Sequence, residues 1–203
     1  MAAAATGSVD PMTDTLRDDN RLFVALDLPD NLRRHLGELA ERLAGEHGGR
    51  AVPAENLHAT LSFLGRVTPS RVPEITTELA QSAPSATIPA RLDALRARPG
   101  GRASVIAAQI ELESADDAAV LDRLRVAVGE IADVSGGSEL ERPIWLHVTL
   151  VRFGRPSPIA NLPDVQWEQV FAFTGITLYD SHQRTAEPPR FEPVATVALE
   201  TPA

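Results

Sequence analysis

Cysteine and lysine are both absent from this 203-residue sequence. Without cysteine the chain can form neither a disulfide nor a thiol nucleophile, and a cytoplasmic location is expected. Without lysine it has no P-loop, whose lysine holds the terminal phosphates of a nucleotide, and no Schiff-base chemistry. Ligases that carry a nucleotide on a lysine are excluded as well. The chemistry that stays open uses histidine, hydroxyl groups, carboxylates and the 19 arginines.

Long apolar runs and an excess of positive charge are also missing. No apolar stretch approaches the ~20 residues that a membrane helix needs, and the mean hydropathy is -0.09. The net charge is -9, which differs from the basic surface of a protein that coats nucleic acid. A few local arginines are still enough to hold a small anion or the end of a nucleic acid.

The sequence predicts a short extension followed by a folded unit. Residues 1–20 have neither the basic leader nor the apolar segment of a signal peptide, and we expect them to be disordered. With 43% hydrophobic residues, the chain is long enough to bury a real core. Residues 21–203 are therefore expected to fold.

Two halves of the chain show the same order of elements. Apolar periodicity predicts a strand, a helix and a second strand in each half. The predicted ranges are 21–28, 30–45 and 56–64 in the first half, and 103–112, 116–132 and 144–153 in the second. Such a repeat predicts an α+β fold with two lobes related by a pseudo-two-fold axis. Each lobe is expected to be a mostly antiparallel sheet backed by helices, with a central cleft between the lobes.

The second strand of each half carries the same nine-residue pattern, L-H-x-T-L-x-x-(L/F)-G. The two copies occupy residues 57–65 and 146–154. Residues two apart on a strand point to the same face, so His58 shares a face with Thr60, and His147 with Thr149. Polar groups inside an apolar run are costly unless they have partners or work to do. The two strands are thus expected to bring two imidazoles and two hydroxyls to one cleft.

Two imidazoles on opposite sides of a cleft suit an in-line displacement at phosphorus. Histidine titrates near ~6.5, so at neutral pH one ring can act as a base and the other as an acid. The base deprotonates the incoming oxygen and the acid protonates the leaving oxygen. Threonine hydroxyls and a nearby arginine can stabilise the charge on the phosphate. A substrate with its own strained phosphodiester, such as a 2′,3′-cyclic phosphate, needs no metal or other cofactor in this scheme.

Alternative roles for the histidines fit the pattern less well. A single His-x-Thr is more often a core histidine bonded to a backbone carbonyl, but two matched copies in matched halves make coincidence a poor explanation. A lasting metal site usually has three or four ligands at tight spacing, and the acid nearest to either copy is Glu55, in a predicted loop. No G-x-S-x-G pattern supports a serine triad, and His182 is expected to lie in a loop.

One position of the pattern differs between the two copies. Five residues after the histidine, the first copy has Phe63 and the second has Arg152. Arg152 is a candidate clamp on a phosphate oxygen, and Phe63 is a candidate stacking platform for a base. A surface arginine and a core phenylalanine are the alternatives. Strict alternation puts both side chains on the back of the strand, so a functional role requires a bulge or a strong twist there.

The paired motif resembles the 2H phosphoesterase superfamily, and more narrowly the bacterial and archaeal RNA 2′,3′-cyclic phosphodiesterases, also called 2′-5′ RNA ligases. The stretches that carry the resemblance are RLFVALDLP at 21–29, ENLHATLSFLG at 55–65, RPIWLHVTLVR at 142–152 and FxFxxITLYDS at 171–181. The resemblance covers the chain from about residue 21 to its end and implies one bilobal domain with a central cleft.

The resemblance also implies an activity and its residues. The activity is the metal-independent hydrolysis of 2′,3′-cyclic phosphate ends of RNA or nucleotides to 2′-phosphates, with a reverse reaction that joins such ends through 2′-5′ linkages without ATP. Carried over by motif, His58 is the proton donor and His147 is the proton acceptor that activates water. Thr60, Thr149 and Arg152 bind the phosphate. RNA ends or small cyclic nucleotides are the expected partners of a monomer that needs neither a membrane nor an obligate protein partner.

One stretch departs from the family's pattern. Members often carry Arg-Pro or a similar pair before the second histidine, whereas this chain has Trp145-Leu146, which leaves the substrate range open. Two rival functions also stay open. One is a non-catalytic module that binds nucleotides or RNA ends in the same cleft, and the other is a metal-dependent hydrolase. Turnover of a cyclic phosphate in EDTA separates the three.

Overall fold

The computed structural model describes residues 21–133, 144–159, 161–165, 167, 170–182 and 190–200. The extension at residues 1–20, expected to be disordered, lies outside these ranges. None of the described helices is long and apolar enough to cross a membrane.

The described part of the chain contains nine strands and three α-helices. The first group is β1 (Arg21–Asp27), α1 (Asp30–His47), β2 (Arg50–Ala51), β3 (Ala59–Arg66), α2 (Val72–Ser82) and β4 (Ile88–Arg98). The second is β5 (Ala103–Leu112), α3 (Ala115–Ile131), β6 (His147–Ser157), β7 (Val170–Phe173), β8 (Gly175–His182) and β9 (Arg190–Ala198). The strands and helices predicted for both halves are therefore confirmed, with bounds that shift by a few residues.

Helix α1 shows how the local sequence sets an element's limits. It begins at Asp30 directly after Pro29, and the carboxylate lies in the first turn, where the helix dipole favours negative charge. The helix ends at Gly48, whose φ of 74° and backbone N–H donation to the Ala44 carbonyl close the last turn. Between these ends, one face buries leucines and small residues, which are Leu36, Gly37, Leu39, Ala40 and Leu43.

All strands join one sheet in the order β7-β4-β5-β6-β3-β1-β8-β9, with β2 paired to β6. The two motif strands, β3 and β6, lie side by side at the middle of this sheet. They run antiparallel and pair at Ala59 with Val148, which occupy the same position in the two copies of the motif. The pseudo-two-fold axis therefore passes between these residues. The predicted lobes are two halves of one curled antiparallel sheet, and the α+β fold is confirmed.

The helices connect the two halves. Helix α1 follows β1 in the first half but contacts β6 of the second, and α3 follows β5 but contacts β3. The apolar backs of the motif strands are buried beneath them, as the alternation predicts; these residues are Leu57, Ala59, Leu61, Leu146, Val148 and Leu150. Each fully buried leucine contributes about 1.5–3 kcal/mol relative to an exposed one. The packing that stabilises each half thus also fixes the position of the other half's motif strand.

Candidate active site

A β-bulge directly follows the threonine in both motif strands. Leu61 of β3 has no partner in the register with β1, and Leu150 of β6 has no partner in the register with β5. Two successive residues are buried at each bulge, Leu61 with Ser62 and Leu150 with Val151. Because a bulge adds one residue to a strand, the alternation of side chains reverses beyond it.

The bulges turn Phe63 and Arg152 toward the front of the sheet. Strict alternation would have placed both on the back, against the helices. Instead they line the same cavity as the four motif side chains, and the Phe63 side chain is 58% exposed. The bulge that a functional role of these two residues requires is therefore present in both strands.

The pairing of β3 with β6 brings the two motifs together on the front face. With Ala59 opposite Val148, antiparallel register sets His58 across from Thr149, and His147 across from Thr60. All four predicted polar side chains line one cavity of about 1000 Å³. The strand pairing thus brings the two imidazoles and the two hydroxyls to one cavity, as the sequence predicts.

Both histidine rings are oriented by the backbone two residues before them. Nδ1 of His58 lies 2.8 Å from the Asn56 carbonyl, and Nδ1 of His147 lies 2.9 Å from the Trp145 carbonyl. A carbonyl only accepts, so Nδ1 carries the proton in each neutral ring and Nε2 holds the lone pair. Nε2 of His58 also lies 3.1 Å from the Thr60 hydroxyl, which donates to it when the ring is neutral.

Burial lowers the pKa of both histidines. The pKa of His58 falls to about 4, first because burial disfavours the charged ring, and then because Arg152, His147 and Arg33 add positive charge nearby. Burial, followed by the charges of Arg152 and Arg98, also lowers the pKa of His147. Hydrogen bonds to the Asn56 and Trp145 carbonyls act in the opposite direction. Both rings are thus neutral at pH 7 in the free protein, and an anion bound between them favours their protonated forms.

Aromatic rings surround His58. The Phe23 ring centroid lies 4.9 Å from that of His58, and Phe191 meets the imidazole edge-on at 5.1 Å. Tyr179 stacks on Phe23 at 5.3 Å and its ring centroid lies 6.1 Å from that of His58. Phe63 lies 6.1 Å from Phe23. Sequence analysis missed Phe23 and Phe191 as site residues. Phe23 was predicted only as part of an apolar strand, and no local pattern connects Phe191, on β9, with a motif far from it in sequence.

The charge of the cavity is opposite to that of the whole chain. Its described lining includes Arg21, Arg50 and Arg152 and contains no carboxylate, although the chain carries a net charge of -9. Arg21 and Arg50 were not among the predicted site residues, because nothing near them in sequence distinguishes them from other surface arginines. Clustered guanidinium groups favour a bound anion such as a phosphate.

The sequence analysis expected His182 to lie in a loop, and this expectation is wrong. His182 is the last residue of β8, and its Nε2 lies 3.1 Å from a carboxylate oxygen of Glu192 on the neighbouring strand β9. Strand pairing between β8 and β9 thus extends three residues past Tyr179, where the apolar run ends. In the part of the chain that the structure describes, no group of three or more His, Asp or Glu side chains is placed to hold a metal ion.

Comparison with known families agrees with this geometry. Residues 26–102 match the model of the LigT-like phosphoesterases. This segment begins at the end of β1 and includes α1 and the first motif strand, β3.

Curated relatives are similar to the chain over different lengths. An RNA 2′,3′-cyclic phosphodiesterase of Archaeoglobus fulgidus is 41% identical over 61 residues, which are 30% of this chain and 35% of that protein. The chain therefore matches only about a third of that relative's length. An RNA 2′,3′-cyclic phosphodiesterase of Escherichia coli is 27% identical over 169 residues, or 82% of this chain and 89% of that protein.

Solved structures share the fold. A Thermus thermophilus protein superimposes with a TM-score of 0.74 at 26% identity, covering 89% of this chain and 98% of that chain. Escherichia coli LigT in complex with 3′-AMP superimposes with a TM-score of 0.66 at 27% identity and the same coverage. The chain is thus similar along most of its length to phosphoesterases of this architecture.

Proposed function

We propose that this protein hydrolyses 2′,3′-cyclic phosphate ends of RNA or nucleotides to 2′-phosphates without a metal. Support comes from the match of residues 26–102 to the LigT-like phosphoesterases and from the fold shared with Escherichia coli LigT. The observation that carries the proposal is the pairing of two His-x-Thr strands about Ala59 and Val148, with both imidazoles in one cavity. The relatives named RNA 2′,3′-cyclic phosphodiesterase support the substrate class.

The proposed reaction needs one proton taken up and one delivered. One imidazole removes a proton from water as the water oxygen attacks phosphorus. The bond between phosphorus and O3′ breaks on the opposite side, and the second imidazole gives its proton to O3′. The product keeps its phosphate on O2′. The two rings exchange their protonation states, so a later proton transfer restores the starting form.

The aromatic cluster favours a division of roles between the histidines. Phe23 and Phe191 contact His58, and Phe63 lies beside Phe23. These rings suit the nucleoside side of the substrate, since bases stack on aromatic side chains. The leaving O3′ belongs to that nucleoside. His58 is therefore the proton donor and His147 the proton acceptor, and Phe63 is the stacking partner for the base.

The phosphate sits between the motif strands in this proposal. Thr60 and Thr149 present hydroxyls from either side of the axis, and Arg152 supplies a guanidinium from beyond the second bulge. These donors are placed where negative charge grows on the non-bridging oxygens as phosphorus gains its fifth bond. The positive cavity draws an anionic substrate to a chain that is negative as a whole.

Ligation follows from the same geometry when an alcohol takes the place of water. If the 5′-hydroxyl of a second RNA attacks the cyclic phosphate, O3′ leaves as before and a 2′-5′ linkage forms. The strained ring supplies the energy, so no ATP is consumed. A nucleotide or an RNA end is the expected ligand, in keeping with the 3′-AMP bound by Escherichia coli LigT.

Incubation with a nucleoside 2′,3′-cyclic phosphate in excess EDTA tests the proposal. The expected product is the 2′-phosphate, resolved from the 3′-phosphate by chromatography. Formation of the 3′-phosphate, or activity that returns only with a divalent cation, contradicts the proposed reaction. Tight nucleotide binding without turnover indicates the rival function, a binding module that uses the same cavity.

A further inference from the structure

Trp145 lies against the active-site histidine that precedes the second bulge. Its indole ring stacks on the His147 imidazole with centroids 3.8 Å apart and planes 17° from parallel. We propose that Trp145 is a positioning residue, which holds His147 through this stack and stabilises the imidazolium that forms when His147 takes a proton. The inference rests on the proposed function and deepens it at one residue.

Two contacts from one residue fix the imidazole. The Trp145 carbonyl accepts the hydrogen bond from Nδ1 of His147 at 2.9 Å, and the indole covers one face of the ring. The hydrogen bond sets the ring's direction, and the stacked indole limits its rotation. His58 has the matching hydrogen bond from Nδ1 to the Asn56 carbonyl, and its Nε2 is also bonded to the Thr60 hydroxyl. Among the described residues no such bond joins Thr149 to His147, and the face of Trp145 takes its place.

Arg98 also lies over the indole ring. The Cζ atom of its guanidinium lies 4.9 Å from the centroid of the Trp145 ring. Arg98 is at the end of β4, two strands away from β6 in the sheet. The indole of Trp145 therefore contacts both the guanidinium of Arg98 and the imidazole of His147.

The electrostatics of the stack favour the imidazolium form of His147, which arises when His147 takes a proton from water. The π face of an indole attracts a cation placed over it. The positive groups that act against protonation of His147 are Arg152 and Arg98. Trp145 is the group that counters them on the face of the ring. It therefore makes His147 a stronger base without adding a carboxylate to a site that must bind an anion.

Trp145 belongs to the pair of residues that departs from the pattern of the resembling family. The indole Nε1 is buried and has no hydrogen-bond partner among the described residues. The ring contacts with His147 and Arg98 are therefore the described contacts that orient this side chain. A substitution that keeps an aromatic ring at this position is expected to keep the function, and one that keeps only apolar bulk is not.

Fluorescence tests the stack without any need for activity. The chain has two tryptophans, and Trp167 lines a separate cavity near His35, so Trp167→Phe leaves Trp145 as the only indole emitter. A protonated imidazole in contact quenches indole emission. We expect the emission of Trp167→Phe to fall as pH is lowered through the titration of His147, and adding His147→Ala to remove that fall. The proposal is overturned if the emission does not change with pH, or if it changes by the same amount when His147→Ala is added.

Kinetics test the positioning role. Trp145→Leu keeps apolar cover but removes the π face, and should lower kcat for a nucleoside 2′,3′-cyclic phosphate by ~10–100-fold, because small misplacement of a catalytic group is costly. KM should change little. The acid limb of the kcat/KM profile should move to lower pH, and Trp145→Phe should restore most of the rate. Trp167→Phe is the control and should match the unaltered protein.

The two experiments separate this inference from the proposed function. If the protein turns over no cyclic phosphate but the Trp145 emission still reports His147, the stack stands and the assigned reaction is wrong. If the protein is active but Trp145→Leu keeps the full rate and pH profile, the positioning role is wrong. Should Trp145→Leu fail to fold, Trp145→Phe and the Trp167→Phe titration decide the matter.

Discussion

At the scale of single residues, the proposed reaction depends on the protonation of the two motif histidines, which therefore sets the pH range of the expected activity. Burial lowers the pKa of both, that of His58 to about 4. The profile of kcat/KM reports groups of the free enzyme, and a cyclic phosphodiester does not titrate in this range. We therefore expect kcat/KM to peak below pH 6.5 and to fall on both sides. A maximum above pH 7 contradicts this expectation.

Both imidazoles are expected to be necessary for catalysis, one as the proton donor and the other as the proton acceptor. His58→Ala and His147→Ala should each lower kcat by ~10²–10⁴, because each removes one proton transfer from the transition state. Steady-state kinetics on a nucleoside 2′,3′-cyclic phosphate measures the loss. His35→Ala, at an exposed position of α1 outside the cavity, is the matched control. Full activity in either motif variant would show that the two-histidine mechanism is wrong.

Arg152 and Phe63 occupy equivalent positions in the two motif strands, but substitutions at them should change different kinetic constants. Arg152→Gln removes a cation from the site of growing phosphate charge, so kcat should fall by ~10²–10³. Phe63→Leu removes a stacking face worth ~1–3 kcal/mol per base, so KM should rise while kcat changes little. The comparison is made on one nucleoside cyclic phosphate. If both variants raised only KM, the phosphate-clamp role of Arg152 would be excluded.

At the scale of elements, the bulges decide which side chains reach the cavity. Leu61 and Leu150 each add one residue to a strand. The side chains after each bulge therefore point to the opposite face of the sheet from the one that strict alternation predicts. The connection between α1 and β2 fits closely against the second bulge. A Cβ at Gly49 would lie 2.3 Å from Cγ1 of Val151 and 2.9 Å from Phe153. Glycine is required there because no side chain fits.

A pair of glycine substitutions tests this close approach. Gly49→Ala should lower the free energy of unfolding by ~1–3 kcal/mol, because its methyl group overpacks the bulge. Gly45→Ala in helix α1 meets nothing within 4 Å and should raise that free energy by up to ~1 kcal/mol through helix propensity. Urea unfolding at pH 7.5 measures both. Equal stability of the two variants would show that β6 adjusts freely around the added methyl.

At the scale of the whole molecule, stability and anion binding are linked through the histidines. Their pKa values are lower in the fold than the ~6.5 of an unfolded chain. The unfolded state therefore binds more protons between pH 6.5 and about 4, and stability falls as pH is lowered through that window. We expect inorganic phosphate, bound between the rings, to reduce this loss.

Thermal unfolding with and without phosphate measures the linkage. The rise in Tm caused by phosphate should be larger at pH 5.5 than at pH 7.5, because protonated rings bind the anion more tightly. His58→Ala should flatten the fall of Tm with pH, because the alanine has no proton to bind. A phosphate effect that is the same at both pH values would rule out the histidines as the anion's partners.

Much of the site could be predicted from local sequence. The repeat of L-H-x-T-L identified four side chains, and alternation assigned them a common face in each strand. The absence of lysine and cysteine restricted the chemistry to imidazoles, hydroxyls and arginine. These motifs carried the resemblance to the family whose model matches residues 26–102. These conclusions hold because strand alternation and residue chemistry depend only on neighbours within a few positions.

Further features depend on contacts between segments far apart in the chain. The pairing at Ala59 and Val148 joined two predicted lobes into one sheet, and the bulges at Leu61 and Leu150 moved Phe63 and Arg152 to the front. A bulge is set by the register with a neighbouring strand, which the strand's own sequence does not encode.

The surroundings of the two histidines were decided in the same way. Phe191 reaches His58 from β9, and Arg98 reaches Trp145 from β4. The sequence by itself determined which groups are candidates for the proposed chemistry and that there are two matched sets of them. Only the tertiary structure decided their mutual distance, their pKa values and the side chains that hold them, because burial and stacking arise when strands distant in sequence pack together.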